Sequence, residues 1–497
     1  MEYYETIEEV WGGENMKRFI LCALAALFLL LCGCGEKAKD AVPDFVGFVP
    51  SFMVAGDVDT VFSMNRESAA GFAWTTVQNG GAILPAVLLS DVVAAAVPRA
   101  ARYDLLLVGT DGLASLIGGG DLEGCYIAYS EQYAWECVNE MHPISSKIKL
   151  LREIVVVSDA DMLDPRAVGL VDAEGSRRVT AGQLRLGAYQ FELSFEGRSE
   201  INGRDVTVFT PRRSVPLAPL LREEGMHAIV GRDGAIAYEY SLSAIAFEIG
   251  DTTLAYKDMR DVAGIMADAP LFNITDVYTD ALRFLEQGER VLIIELDGWG
   301  WVMYNRAEQP FLGGLNAARC LAVYPPISPV GLASMLTGEL PSVHGIHDRY
   351  NRELAVEDIF AKVAAMGKEA AYVEGNTTLI KAFLSPTLSP DLNGENGTDD
   401  EVFANAVAAM ADMPDLLFVH FHGIDDIATA FGPYAPETMA KIAYIDALVA
   451  ELAALWQGCI IITSDHGLHE TEDGGAHGVF CAEDMLVPYI IVRSGGF

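Results

Sequence analysis

The spacing of apolar residues divides the chain into two regions of different character. Between about residues 44 and 270, short apolar runs such as "YDLLLVG" and "IVVVSDA" are separated by Gly, Asp and Asn, which is typical of β-strands joined by turns. We therefore predict a β-rich region over 44–270, built as one or two modules. The openings "VAGDVDTVFSM" and "IVGRDGAIAYEYSL" resemble each other and suggest a duplication.

After Arg290 the apolar runs alternate with helical segments. The runs "VLIIEL", "DLLFVHF" and "CIIITS" are short and almost continuously apolar, and longer segments such as "PETMAKIAYIDALVAELAALW" separate them. Strands of this kind are buried on both faces, so the pattern predicts an α/β domain over residues 285–497 with a mostly parallel sheet sandwiched by helices. In such sheets ligands collect at the carboxyl ends of the strands.

The first 43 residues predict an export signal and a linker. From Met16, two basic residues precede an apolar run that ends in Leu-Cys-Gly-Cys at Cys34. The run is short for a membrane span and fits a secretory signal, and its end resembles the bacterial lipoprotein cleavage box, which implies acylation of Cys34. We expect residues 1–34 to combine a mis-assigned start with this signal peptide and 35–43 to be a linker. The protein would then be lipid-anchored to a bacterial membrane, outside the cytoplasm; an uncleaved anchor helix is the alternative.

Charge and cysteine content limit the classes of partner. The 497 residues carry a net charge of −37, which argues against binding of duplex nucleic acid because phosphate neutralisation needs patches of Lys and Arg. A small anionic substrate would need a locally positive feature, such as a metal ion or a helix N-terminus. The cysteines beyond Cys34 are widely scattered and predict neither a disulfide framework nor structural zinc.

Polar residues follow the predicted strands of the C-terminal region at the points where each strand ends. A single Asp-Gly pair is a weak signal, because Asp111-Gly112 follows "LLLVG" in the same way and we expect only a turn there. Adjacent Asp and His are a stronger signal, since they offer an oxygen and a nitrogen to one cation. The full set predicts a site at one edge of the sheet, and its members are Asp297, Ser328, Asp425, Asp465, His466 and His477.

These motifs, in this order, resemble the phosphodiesterase/nucleotide pyrophosphatase branch of the alkaline phosphatase superfamily. The resemblance covers residues from about 291 onwards through "IELDG", "YPPISPVGLASMLTG", "IDDIATAFGP", "SDHG" and "GGAHG". It implies a hydrolase of phosphodiesters or nucleotide pyrophosphates that holds two divalent metal ions, with zinc the expected metal. It also implies that Ser328 is the nucleophile. The implied ligands of the first ion are Asp297, Ser328, Asp465 and His466, and those of the second are Asp425 and His477.

The residues around Ser328 are consistent with that role. We expect Ser328 to be an N-cap with Pro329 at the first helical position, where a missing N–H costs nothing. The helix start would then present backbone N–H groups and the positive end of the helix dipole to a phosphate. A serine hydroxyl is a weak nucleophile at neutral pH and needs activation, which a pair of metal ions supplies in this type of site.

One position departs from the family pattern. The residue four positions after Asp425 is a histidine ligand in the family, and here it is Thr429. His420 or His422, two apart on the preceding strand, or His469 could supply the missing nitrogen. Otherwise a water held by Thr429 would leave a weaker second ion. We expect His344 and His347, in "HGIHD", to be loop hydrogen-bonding residues.

Three further interpretations stay open at this point. The domain could be catalytically degenerate, in which case the lipoprotein would use the hydrolase fold as a binding module. A phosphonate-cleaving or sulfatase-like variant is another alternative, and the sulfatase-like form is disfavoured because "SPVGL" lacks the arginine of the sulfatase motif. The β-rich region faintly resembles non-catalytic β modules of molybdopterin-dependent oxidoreductases, and we interpret it as a scaffold or binding module.

Overall fold

The structure is a computed structural model. It describes residues 42–45, 47–120, 122–139, 141–159, 166–187, 190–201, 204–216, 220–221, 225–240, 246–250 and 253–493. The expected signal peptide, Cys34 and all but the end of the linker lie outside these residues. No helix within the described ranges is long and apolar enough to cross a membrane. The chain divides into two compact units, Met1–Val157 and Ser158–Phe497, so the second half of the β-rich region belongs to the same unit as the C-terminal domain.

The first β module consists of two sheets. One has the strand order β2-β1-β9-β5-β6 and the other the order β3-β4-β7-β8. Its core contains the buried indoles of Trp74 and Trp135. The elements are β1 (Phe52–Gly56), β2 (Phe62–Met64), α1 (Arg66–Ala69), β3 (Thr75–Asn79), β4 (Ala82–Leu88), α2 (Leu89–Ala94), β5 (Asp104–Gly109), β6 (Ala114–Gly118), β7 (Cys125–Ser130), β8 (Ala134–Asn139) and β9 (Leu151–Val157).

The second β module has the same construction. Its sheets have the orders β11-β10-β18-β14-β15 and β12-β13-β16-β17. The elements are β10 (Val168–Asp172), β11 (Gly175–Val179), α3 (Ala181–Leu186), β12 (Gln190–Ile201), β13 (Arg204–Pro216), β14 (His227–Gly231), β15 (Ile236–Glu239), β16 (Ala246–Ile249), β17 (Leu254–Ala255) and β18 (Val262–Met266).

The two modules are a structural repeat, because each strand of the first has its counterpart nine strands later. β1 is parallel to β9 as β10 is to β18, and the remaining neighbours in these sheets are antiparallel in both modules. The hairpin after β5 turns through Gly109–Gly112 and that after β14 through Gly231–Gly234, with the same backbone hydrogen bonds. The suggested pairing of "VAGDVDTVFSM" with "IVGRDGAIAYEYSL" is therefore wrong: the counterpart of the latter is the β5–β6 hairpin. Asp111 accepts a hydrogen bond from the N–H of Leu113, as expected for a turn residue.

The C-terminal domain is built on one large sheet with helices. Its strands are ordered β19-β21-β28-β25-β20-β24-β22-β23. The elements are β19 (Phe272–Asn273), α4 (Asp276–Glu286), β20 (Val291–Leu296), α5 (Trp301–Arg306), β21 (Ala317–Leu321), α6 (Ser328–Thr337), α7 (Pro341–His344), α8 (Ile359–Ala365), β22 (Ala370–Glu374), β23 (Thr387–Leu388), α9 (Asp399–Met410), β24 (Leu416–Phe421), α10 (Gly423–Phe431), α11 (Pro436–Leu455), β25 (Cys459–Thr463), β26 (His469–Thr471), β27 (Gly474–Ala476), α12 (Ala482–Met485) and β28 (Leu486–Val492).

This sheet is mostly parallel and is buried on both faces. Only β28 runs antiparallel to its neighbours, β21 and β25. Alternate residues of β20 enter two different hydrophobic layers: Val291 and Ile293 belong to one, while Leu292 and Ile294 belong to the other. Two buried faces explain the continuous apolar runs in the sequence. The predicted fold class, an α/β domain preceded by a β-rich region, is confirmed.

The second β module packs against the end of the C-terminal domain. Phe480 fits against Gly169 and Gly264, where an added Cβ would lie 2.4 and 2.1 Å from atoms of Phe480. The hydroxyl of Ser176 accepts a hydrogen bond from the N–H of Ala482 at 2.9 Å. The segment that follows His477 is therefore supported by the β module, which is consistent with a scaffolding role for that module.

Candidate active site

Three neighbouring strands end at the same edge of the sheet and deliver the acidic and imidazole groups. Asp297 directly follows β20, Asp465 and His466 follow β25, and His420 lies near the end of β24. The side chains of these four residues are buried. β25, β20 and β24 are adjacent and parallel. The residues that follow them therefore lie together at one edge of the sheet, as the sequence predicts.

Ser328 reaches this edge from the start of α6. The N-cap is Ile327, so the helix begins at Ser328 and Pro329 is its second residue; the predicted cap position was wrong by one residue. The Ser328 hydroxyl lies 3.3 Å from Asp297 Oδ1 and 3.2 Å from His466 Nε2. The first turn of α6 packs tightly on the loop after β25, since a Cβ added at Gly331 would lie 2.7 Å from Asp465 Cβ.

Four contacts among these side chains have the spacing expected between ligands of a tetrahedrally coordinated ion. His466 Nε2 lies 3.5 Å from Asp297 Oδ1 and 3.4 Å from Asp465 Oδ2, in addition to the contacts of Ser328. Ligands bound at about 2.0–2.1 Å in a tetrahedron are separated by roughly 3.3–3.4 Å. His466 Nδ1 donates to the carbonyl of Gly467 at 3.0 Å, which leaves the Nε2 lone pair directed at the acids.

Hydrogen bonds also orient the Asp465 carboxylate, so that one of its oxygens faces the other acidic and imidazole groups. Its Oδ1 accepts from the N–H groups of His466 and Gly298 at 2.8 and 3.3 Å, whereas its buried Oδ2 accepts no hydrogen bond from any described residue. A buried carboxylate oxygen without a donor is costly, and a cation at this point would satisfy it. The residues present therefore fit a divalent metal ion.

A second pair of predicted ligands lies beside the first group. Asp425, in the first turn of α10, has its Oδ1 3.7 Å from His477 Nε2. The rings of His466 and His477 are stacked with their centroids 3.9 Å apart. Ligand atoms of Asp425, His466 and His477 all lie within 4.8 Å of one another, so the structure brings all six predicted residues to one place.

Thr429 does not contribute a ligand in this structure. It lies one turn after Asp425 on α10 and is exposed to solvent. Of the three possible replacements, His469 hydrogen-bonds to Asp484 Oδ1 at 2.8 Å, in a separate cluster. His422 Nδ1 lies 3.2 Å and His420 Nε2 3.5 Å from Asp297 Oδ2, on the other side of that carboxylate from His466. None of these histidines belongs to the group formed by Asp425 and His477.

Comparison with known proteins agrees with this geometry. Residues 291–495 match the family model of type I phosphodiesterase / nucleotide pyrophosphatase. The predicted resemblance is confirmed, and the family that it points to is one of phosphoester hydrolases.

The individual relatives are distant. The chain is 24% identical over 188 residues to the catalytic subunit of GPI ethanolamine phosphate transferase 2 from Homo sapiens, covering 34% of this chain and 19% of that protein. Murine ectonucleotide pyrophosphatase/phosphodiesterase 5 matches at 20% identity and a TM-score of 0.31, covering 36% of this chain and 58% of that one. Phosphonoacetate hydrolase from Sinorhizobium meliloti 1021 matches at 20% identity and a TM-score of 0.31, covering 36% and 57%. The chain thus spans about a fifth of its curated relative.

Burial and neighbouring charges set the protonation of the acidic groups at this edge of the sheet. Burial, followed by the charge of Asp297, raises the pKa of Asp465 well above its usual value. Burial likewise raises the pKa of Asp425 to about 7, with a further contribution from Asp297. Burial alone would raise the pKa of Asp297 too, but hydrogen bonds from His420 and His422 outweigh it and hold that pKa well below the usual range. Asp297 is therefore the anionic centre of the cluster.

Sequence reasoning missed the buried polar groups behind Asp297. Glu295, within the otherwise apolar "VLIIEL", pairs with His420, and Glu374 lies 3.5 Å from His420 Nδ1 on its other side. Burial raises the pKa of Glu295 to about 8, and the charge of His420 opposes this. A glutamate in a strand buried on both faces is the sequence signal for this network, because such a residue needs a partner.

Sequence reasoning also missed Asp484, which holds the two segments that follow the candidate ligands His466 and His477. Its Oδ1 accepts from His469, its Oδ2 accepts from the N–H of Val479 at 3.0 Å, and its carbonyl accepts from the N–H of Gly467 at 2.9 Å. These bonds tie the segments just after His466 and His477 to α12. Asp484 is thus placed to position both histidines without contacting the reacting centre.

The expectation that His344 is a hydrogen-bonding residue is correct. Its Nδ1 accepts from the N–H of Ile346 at 3.1 Å, so its Nε2 carries the proton and donates to Ser334 Oγ at 2.9 Å. Burial lowers the pKa of His344 to about 4. The side chain is fully buried behind α6 and helps to hold that helix, and therefore Ser328, in place.

A polar cavity of about 460 Å³ opens beside the site. Its lining includes His422, Asp426, Asn376, Asp391 and Thr398. A larger cavity of about 910 Å³ lies at the opposite ends of β20 and β25, around Arg290 and Gly458, remote from these groups. Of these two cavities, the smaller one is the one that adjoins the candidate site.

Proposed function

We propose that this chain hydrolyses phosphoric esters, most simply phosphodiesters, with Ser328 as the nucleophile and with bound metal. The observation that carries the proposal is the position of the Ser328 hydroxyl, which lies 3.3 Å or less from Asp297 and His466 at the start of α6. A serine that only capped a helix, or that faced solvent, would not be expected to contact a buried carboxylate and a buried imidazole. The human relative is named a phosphate transferase, and transfer and hydrolysis share the same first step.

Asp297, Asp465, His466 and Ser328 would hold the first ion, and zinc suits this mixed oxygen and nitrogen set. When bound, the ion lowers the pKa of the serine hydroxyl and offsets developing negative charge. Ser328 Oγ, after losing its proton to solvent, would form a bond to phosphorus while the ester bond breaks, and the leaving-group oxygen would depart with the bonding electron pair and take up a proton from solvent. The helix start presents its positive end to the phosphate oxygens. A water molecule afterwards displaces Ser328 from phosphorus, releasing the phosphate product and returning the serine.

The second ion expected from the family would have only Asp425 and His477. His466 cannot complete that set, because its Nε2 already faces Asp297 and Asp465 and its Nδ1 is bound to the Gly467 carbonyl. The residues present do not make a full second site, and we derive no step from an ion there.

Turnover of bis(p-nitrophenyl) phosphate by zinc-loaded protein tests the proposal. Ser328→Ala should lose at least 100-fold in kcat while keeping its bound zinc, and Ser328→Thr should retain measurable turnover. Ser342→Ala, at an exposed serine of α7, is the matched control and should behave as wild type. Equal turnover by wild type and Ser328→Ala would refute the nucleophile. Absence of both zinc and turnover in the wild type would instead support the binding-module alternative.

We also propose that the chain is exported and held at a membrane through lipidated Cys34, with its substrate a small anionic ester. Support comes from the sequence of the first 34 residues alone. Cys34→Ser should move the protein from the membrane fraction to the soluble fraction of the producing cells, or stop its processing. An unchanged membrane fraction would contradict lipidation at this residue.

A further inference from the structure

Arg349 occupies the nitrogen of His477 that a metal ion would need. Its Nη2 lies 2.7 Å from His477 Nε2, and the other ring nitrogen, Nδ1, lies 3.0 Å from the carbonyl of Pro326. An arginine can only donate and a carbonyl can only accept, so His477 carries its proton on Nδ1 and its Nε2 lone pair accepts from Arg349. This is the tautomer that a metal ligand adopts, with a guanidinium in place of the metal.

The loop that carries Arg349 is held in a defined turn. Asp348 Oδ1 accepts from the N–H groups of Tyr350 and Asn351 at 2.7 and 2.9 Å, and the Asn351 side chain donates to the carbonyl of Gly345 at 2.9 Å. Neighbouring contacts therefore fix the backbone on both sides of Arg349.

Asp425, the acidic side chain next to His477, lacks a cation partner among the described residues. Asp425 Oδ1 is buried, lies 3.7 Å from His477 Nε2 and accepts no hydrogen bond from the described residues. The charge of Arg349 is among those that act on Asp425. Two features thus coincide in this chain: the third ligand of the second ion is replaced by the exposed Thr429, and the guanidinium of Arg349 bonds to His477, one of the two ligands that remain.

We infer that the guanidinium of Arg349 takes the place of the second metal ion, so that the working site combines one metal ion with one arginine. The inference rests on the proposed function. A guanidinium suits the role because it stays charged at all working pH values and matches two phosphate oxygens with parallel N–H groups. Arg349 would contact the phosphate oxygens on the side of Asp425, opposite the metal held by Asp297.

Zinc content per chain tests this directly and does not depend on turnover. After dialysis against excess zinc and then buffer, we expect one tightly bound ion in the wild type, in Arg349→Ala and in Thr429→His. We expect two ions only in the double variant, in which Asp425, His477 and the new imidazole are all available. Two ions in the wild type, or in Thr429→His alone, would show that Arg349 does not exclude the metal and would overturn the inference.

A second readout separates Arg349 from a merely structural residue. Arg349→Ala should lower kcat/KM for the diester at least 30-fold, and added guanidinium chloride at millimolar concentration should restore part of it. Arg352→Ala is the matched control, since this neighbouring arginine bonds to the carbonyl of Thr378 and should leave kcat/KM unchanged. Activity of Arg349→Ala within twofold of wild type would overturn the inference while leaving the role of Ser328 intact. If Ser328→Ala were as active as wild type, the proposed function would fail whatever the zinc count.

Discussion

Gly331→Ala is predicted to displace the proposed nucleophile, Ser328, and so to lower kcat, while the protein stays folded. Gly331 lies in the first turn of α6, three residues after Ser328, and packs on the backbone of Asp465. A new Cβ would lie 2.7, 2.8 and 3.1 Å from Asp465 Cβ, O and Cα. Restoring the 2.7 Å contact to an ordinary 3.4 Å requires a shift of about 0.7 Å between α6 and the loop that carries two of the proposed ligands, Asp465 and His466.

The expected effects on stability and on catalysis differ in size. Alanine is the better helix former by about 1 kcal/mol, which offsets part of the roughly 1–3 kcal/mol that overpacking costs. The free energy of unfolding should therefore fall by at most about 2 kcal/mol. A displacement approaching 1 Å costs on the order of 100-fold in rate where groups must be aligned, so we expect kcat to fall about 10- to 100-fold.

The assay is kcat for the chromogenic diester together with urea unfolding. Gly314→Ala is the matched control, because a Cβ added at Gly314 meets no atom within 4 Å. It should be unchanged in both measurements. If Gly331→Ala were as active as wild type while folded, close packing of α6 on Asp465 would not be what positions Ser328, and the reasoning would be refuted.

Three other outcomes follow from the described contacts. The pKa of His344 falls from 6.5 in the unfolded chain to about 4 in the folded protein, so below pH 6.5 the unfolded chain binds a proton that the folded protein does not. The free energy of unfolding should therefore decline by about 3 kcal/mol between pH 6.5 and 4. His344→Gln should remove that part of the pH dependence in urea titrations, and an unchanged slope would contradict the prediction. Asp484→Ala should weaken zinc binding about 10- to 100-fold in competition with a chelating dye while sparing the ligands themselves, and unaltered affinity would exclude a positioning role. Removal of zinc by a chelator should lower the melting temperature. Zinc at 100 times its Kd should raise the free energy of unfolding by about 2.7 kcal/mol, both in the wild type and in the Ser328→Ala variant. A melting temperature that does not change with zinc would count against the site.

The sheet and the main site could be predicted because both follow from local pattern. β20, β24 and β25 are apolar on both faces, which marks central strands, and the residues after each strand must meet at one edge. The start of α6 was misplaced by one residue because Ile327 caps the helix without a side-chain hydrogen bond, so no residue preference marks that end.

Other groups could not be predicted because tertiary packing alone brings them to the site. Arg349 follows no strand, and its contact with His477 joins positions 128 residues apart in the chain. Asp484 accepts hydrogen bonds from the His469 side chain and from the N–H of Val479, and no local sequence pattern marks either contact. The repeat of the β modules was mispaired because similar hairpins recur within each module, and strand order rather than local sequence identifies the counterparts.

Anomalous diffraction at the zinc edge, from crystals of the zinc-loaded protein, tests the central claim most directly. We predict a single strong peak within bonding distance of Asp297, Asp465, His466 and Ser328, and the guanidinium of Arg349 beside His477. A peak elsewhere, or none at these four side chains, would contradict the account.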